Sequence, residues 1–98
     1  MVKLVSIGQS KAKGKKMMVI LKDGDREFKV HFGAKGFEDY TTHKSEDRKN
    51  RYLARHEKRE NWSASGVRTP GFWSRWILWN KPTITESVAD VKSRFNIE

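Results

Sequence analysis

The stretch Met17-Met-Val-Ile-Leu21-Lys-Asp23-Gly24-Asp-Arg-Glu-Phe28-Lys-Val30-His-Phe32 decides the fold. Met17 to Leu21 is a continuous apolar run, and Phe28, Val30 and Phe32 alternate with polar residues at period two, as a strand with one buried face requires. Asp23-Gly24 lies between the two segments and can supply the positive φ angles of a type I′ turn. Met17 to Lys22 and Asp25 to Phe32 are therefore expected to form a β-hairpin. Upstream, Val2, Leu4, Val5 and Ile7 make a further strand, and the small and charged residues from Gly8 to Lys16 read as the loop that joins it to the hairpin. The first third of the chain is a three-stranded antiparallel meander.

Gly33-Ala-Lys-Gly36 ends the sheet, and the periodicity beyond it becomes helical. Ser45 is a fitting N-cap, with Glu46 and Asp47 in the first turn where the helix dipole favours negative charge. This helix is expected to run to about Asn61. Tyr52, Leu53 and His56 share one side, and Lys49, Arg51, Arg55, Glu57, Lys58, Arg59 and Glu60 cover the rest, so most of it must face water or a partner. After the linker-like Ser63-Ala-Ser-Gly66, Thr69 caps a second helix with Pro70 at its first position, where a missing N–H costs nothing. Phe72, Trp73, Trp76, Ile77 and Trp79 wrap more than half of its circumference, and Asn80-Lys-Pro82 stops it. Thr83-Ile-Thr-Glu86 opens a third helix as a capping box and places Ile84, Val88, Val91 and Phe95 on one stripe. The expected fold is a single α+β domain over residues 1–98, with the meander and its basic loop in 1–35 and the helices in 36–98.

With 98 residues and 36% hydrophobic content the core is small, so large aromatics must supply much of its buried area. The absence of cysteine excludes a disulfide framework, a thiolate zinc site and a cysteine nucleophile, and fits a reducing compartment. The N-terminus is too short and interrupted for a signal peptide, and no apolar run is long enough to span a bilayer, so a protein that is neither secreted nor inserted in a membrane is expected. A net charge of +9 favours anionic partners. The excess is N-terminal, since residues 1–35 carry nine Lys/Arg against three Asp/Glu while residues 36–62 carry seven against six.

Four constellations can carry function. Lys11, Lys13, Lys15 and Lys16 cluster in the first loop and can touch phosphates as flexible point charges, or merely keep a turn solvated. Arg51, Arg55 and Arg59 recur every four residues and align on one helix face able to follow a phosphate backbone, although Glu57 and Glu60 offer them intrahelical partners. His31, His43 and His56, with Asp39 and Glu57 near them in sequence, raise a metal site, but their spacing matches no ligand motif, and structural histidines without metal or cofactor are expected. The glycines at 33, 36, 66 and 71 lack the spacing of a phosphate cradle. All four tryptophans fall between positions 62 and 79, and serve as core, as anchors for a protein partner, or as stacking surfaces for single-strand bases. Trp76 is expected in the core, and Trp62, Arg75 and Trp79 are the interface candidates.

The pattern His31-Phe-Gly33, Asp39-Tyr-Thr41, Tyr52-Leu-Ala-Arg55-His56, Glu60-Asn-Trp62, Ser65-Gly66, Gly71-Phe-Trp73 and Leu78-Trp79-Asn80-Lys-Pro82 resembles a group of small proteins encoded by large double-stranded-DNA viruses of algae and protists. The resemblance spans roughly residues 28–95 and brings no catalytic assignment with it. It implies a place in the virion or the viral factory. The expected role is a non-enzymatic basic structural module, a minor capsid-associated protein contacting viral structural proteins, with no small-molecule substrate. The alternatives are a nucleic-acid-binding protein using the N-terminal lysines and the Arg51/Arg55/Arg59 face, and a small metal-dependent nuclease using His43, His56 and nearby carboxylates.

Overall fold

The computed structural model describes residues 2–98. Three strands, β1 (Val2–Gln9), β2 (Lys15–Asp23) and β3 (Arg26–Ala34), form an antiparallel sheet in the order β1-β2-β3. The meander is the expected one, with a shorter first loop: β2 starts at Lys15, so two of the four loop lysines belong to a strand. The hairpin turn also differs in detail. Asp23 pairs with Arg26, leaving Gly24 and Asp25 as the central residues, and only Gly24 has positive φ, at 63°. Glycine at the first central position is the type II′ pattern, which matches strand twist as well as type I′ does.

Side-chain parity explains which residues reach the core. Val19 and Leu21 of β2 oppose Val30 and Phe28 of β3, so all four point to one face. On β1, Leu4 pairs with Leu21 and Ile7 with Val19, three residues apart where a regular strand would need two. A β-bulge between Leu4 and Ser6 absorbs the extra residue, leaving Val5 47% exposed and turning Ile7 inward. Backbone bonds from Leu4 N–H to Glu98 C=O (2.7 Å) and from Glu98 N–H to Val2 C=O (3.1 Å) seat the C-terminus along the edge of β1.

The helical part packs on that face. A one-turn helix α1 (Tyr40–His43), additional to the three expected, is capped by Asp39, whose carboxylate accepts from the Thr41 N–H. Helix α2 (Glu46–His56) begins as expected, with the Ser45 hydroxyl accepting from the Arg48 N–H, but it ends at His56, about five residues before the expected stop. The chain then turns so that the Gly66 N–H bonds the Ser63 carbonyl, and a Cβ on Gly66 would lie 2.0 Å from the Asn61 carbonyl oxygen, a space only glycine leaves open. Helix α3 starts at Pro70 under the Thr69 cap and is α-helical through Trp73, then widens into a π-turn over Ser74–Leu78. The Trp79 N–H closes it on the Ser74 carbonyl at 3.1 Å. This turn holds three consecutive residues, Trp76, Ile77 and Leu78, in buried positions. Helix α4 (Ile84–Phe95) follows its Thr83 cap.

Val19, Leu21, Phe32, Phe72, Trp73, Ile77 and Val91 are fully enclosed. Helix α3 thus lies between the sheet and α4, with Phe95 packed 5.0 Å from Phe72 and 5.2 Å from Trp76 between ring centroids. Two indole N–H groups find backbone acceptors: Trp73 donates to Val67 C=O (2.7 Å) and Trp76 to Trp62 C=O (2.9 Å), so neither ring buries an unpaired donor. Among the described residues no helix is long and apolar enough to cross a membrane.

Candidate functional site

The far end of the hairpin, the segment after β3, and helices α2 and α3 enclose a groove of about 600 Å³. Gly14, Lys15, Lys16 and Gly33 form one wall, Arg48, Arg51, Tyr52 and Arg55 of α2 the other, with Ser74, Leu78 and Trp79 between them. Helical periodicity brings the three arginines together, because positions 48, 51 and 55 are separated by three and four residues. The strand pairing Lys15↔Ala34 places the lysines beside the segment that leads to α2.

The cations of the groove have different duties. Lys16 Nζ donates to Asp39 Oδ2 at 2.7 Å and to the Phe37 carbonyl, and Asp39 is only 2% exposed. This ion pair ties β2 to the cap of α1, so Lys16 acts in the fold. Arg51 meets Asp47 at 2.6 Å and Arg48 meets Glu38 at 3.6 Å, with all four side chains largely in water, where such pairs contribute ~0–1 kcal/mol and exchange readily for another anion. Lys15 and Arg55 have no ion-pair partner among the described residues. Five Lys/Arg line the groove against three carboxylates, Glu38, Asp39 and Glu60. Asp39 is sealed by Lys16, and Glu60 accepts from the Trp62 indole at 3.1 Å and faces His56 Nδ1 at 3.5 Å. The Glu60 carboxylate also rests on Gly71, where a Cβ would lie 2.7 Å from it.

Four aromatic rings line up beside this wall in the order His43, Trp79, Tyr52, His56, the last three stacked and His43 tilted by 54° against Trp79. Successive centroids lie 5.3, 4.3 and 4.3 Å apart. Burial, joined by the charge of Glu60, pushes the Tyr52 hydroxyl far above its usual range, so it stays neutral at every physiological pH. Burial pulls the His43 imidazole below its ordinary value, and Arg48 adds to the effect. His43 Nδ1 accepts from the Ser45 N–H at 3.0 Å, which assigns the proton of the neutral ring to Nε2. That atom is buried without a hydrogen-bond partner.

The sequence candidates divide accordingly. Lys15, Lys16, Arg51 and Arg55 come together at the groove, whereas Lys11 and Lys13 stay on the exposed turn outside its lining. Arg59, expected to share a helix face with Arg51 and Arg55, lies beyond the end of α2 at His56 and outside the groove lining. Trp79 is half-buried in the ring column and Trp62 is half-buried under Arg75. The Arg75 guanidinium lies 4.2 Å over Trp76 and donates to the Trp79 carbonyl at 2.8 Å. Arg94 covers Trp76 at 4.6 Å. Trp76 is 8% exposed, as expected of a core residue.

The histidines do not converge. His31 bonds Ser10 Oγ at 2.7 Å, and the rings of Trp79 and Tyr52 separate His43 from His56. Among the described residues no three His, Asp or Glu side chains gather to hold a metal ion.

Two groove residues went unread in the sequence. Arg48 was discoverable, since it extends the Arg51/Arg55 face at helical spacing. Phe37, 72% exposed on the groove rim, carries no signal beyond its place between Gly36 and Glu38.

Fold and groove together define a small α+β domain with a basic, aromatic-floored cleft. The chain belongs to a family described as a family of unknown function (DUF5754), whose profile matches residues 5–56, just over half of its length. The matched segment contains part of β1 and all of β2, β3, α1 and α2, and hence both cationic walls of the groove. No curated protein and no solved structure matches the chain.

Proposed function

We propose that the chain is a non-enzymatic binding module that holds a phosphate-bearing polyanion in the groove between β2 and α2. The observation that carries this reading is the convergence of Lys15 with Arg48, Arg51 and Arg55 around one concave surface, from segments more than thirty residues apart. Lys15 and Arg55 are uncommitted, and the exposed pairs of Arg48 and Arg51 dissociate at little cost. Asp39 is bonded to Lys16 and Glu60 accepts from the Trp62 indole, so the groups the groove offers a ligand are mostly cations, Lys15, Arg48, Arg51 and Arg55 against Glu38, which supports binding over catalysis. An operating place in the virion or viral factory, with structural proteins as further partners, is proposed from the resemblance alone. Its test is detection of the chain in purified particles.

The binding reading is tested by a salt titration. Affinity for a polyanion should fall linearly on logarithmic axes as counterions are released, and Lys15→Gln with Arg51→Gln and Arg55→Gln should flatten the slope by about 0.7–0.9 for each phosphate contact removed. A salt-independent or absent interaction would reject it.

A further inference from the structure

We infer that the polyanion is single-stranded nucleic acid, with phosphates on Lys15, Arg51 and Arg55 and a base stacked on the ring of Phe37; this rests on the proposed use of the groove as an anion site. Among the described residues Phe37 and Val5 are the large hydrophobic side chains left exposed, and of these two Phe37 lies at the groove. Its segment is held by three hydrogen bonds, two of them to the Phe37 backbone itself. The Phe37 N–H bonds the Ala34 carbonyl at 3.3 Å, its carbonyl accepts from Lys16 Nζ, and the preceding Lys35 N–H bonds Gly14 at 3.0 Å. Lys16 is itself locked onto the buried Asp39. An apolar ring held out into water on a pinned segment does not result from a loose loop, and it is presented beside cations at the rim of a cleft.

A protein partner would need a contiguous apolar patch to bury, and an isolated ring among charges does not provide one. A lone π-face next to separated cations suits a ligand that alternates flat faces with phosphates. Duplex DNA offers phosphates on a rigid convex surface with its bases stacked inside, so it cannot enter the concavity and leaves Phe37 without a face to meet. A single strand can lower its backbone between Lys15 and the α2 arginines and turn a base onto the ring. Contacts of this kind carry no base-edge readout, so weak sequence preference is expected.

The test is fluorescence anisotropy at low salt with labelled oligothymidylate, a duplex of equal length, inorganic polyphosphate and poly-glutamate, on the wild-type chain and on Phe37→Ala, Phe37→Trp and the Lys15→Gln/Arg51→Gln/Arg55→Gln triple variant. Phe37→Ala should weaken oligothymidylate by about tenfold, leave polyphosphate unchanged and leave the melting temperature unchanged, because the ring is exposed. Phe37→Trp should restore the loss, and the triple variant should weaken both ligands. Equal oligothymidylate affinity in Phe37→Ala, or tighter binding of duplex than of single strand, overturns the inference while leaving the anion groove standing. Binding of poly-glutamate alone, or of none of the four, overturns the anion groove as well.

Discussion

The phenol ring of Tyr52 lies flat against the indole of Trp79, with centroids 4.3 Å apart and planes within 4° of parallel. This contact joins α2, whose apolar content is thin, to the helix at the centre of the core. It is reinforced by Lys49, whose ammonium donates to the Asn80 carbonyl at 2.7 Å and lies 4.7 Å over the Tyr40 ring. The arginine wall of the groove is positioned through this stack. A double-mutant cycle between Tyr52→Leu and Trp79→Leu, followed by urea denaturation, should give a coupling of about 1 kcal/mol beyond the individual losses. Purely additive effects would mean that the stack does not hold α2.

Trp76→Ala should cost about 3–5 kcal/mol, comparable to the whole stability of a domain of this size. The indole is enclosed by Arg75, Arg94 and Phe95 and donates to Trp62, so its removal leaves a cavity and an orphaned carbonyl. Circular dichroism should show an unfolded or strongly destabilised chain. A normal melt would remove Trp76 from the core.

Lysines of the first loop should separate by position. Lys11→Gln and Lys13→Gln act on exposed side chains and should leave stability within about 0.5 kcal/mol. Lys16→Gln removes the charge partner of the Asp39 carboxylate, 2% exposed and otherwise bonded to Thr41, and should cost about 2–3 kcal/mol, toward the lower end for a broken pair because Lys16 is partly in water. Equal melting temperatures for all three variants would contradict the assigned roles.

The pH dependence of stability should carry the signature of His43. Its folded-state pKa lies below the ordinary value of 6.5, so between the two the unfolded chain binds more protons than the native one. Stability is fully present above pH 6.5 and is lost as pH falls toward the folded value. His43→Gln cannot titrate there, and its melting temperature should change less between pH 7.5 and pH 5 than that of the wild type. An unchanged difference would place the titration elsewhere.

Gly66→Ala should destabilise by about 3 kcal/mol through a forced shift of backbone against backbone, since no flexible side chain is available to give way. Thermal melts of Gly66→Ala against Gly8→Ala, where a Cβ meets nothing within 4 Å, provide the internal control.

Local rules made the sheet and the helix starts legible. Alternation around Phe28, Val30 and Phe32, the Asp23-Gly24 turn, and the caps at Ser45, Thr69 and Thr83 each depend on interactions within a few residues. Signals of the same range failed where distant contacts outweighed them. Helix α2 stops at His56 although Glu57 to Glu60 are adequate helix formers, and Glu60 instead meets Trp62 and Gly71, contacts that no pattern within the helix announces. The lysines and arginines were visible as candidates, and their net charge already pointed to an anionic partner. Which of them share a surface depended on the strand register that carries Lys15 to the end of the sheet and on the Tyr52–Trp79 stack that swings α2 opposite it. Composition and periodicity thus determined a basic α+β domain by themselves, because burial pattern and charge are properties of residue order. Only tertiary structure decided that Lys16 serves the fold while Lys15 faces the groove, since that choice rests on a carboxylate twenty-three positions away.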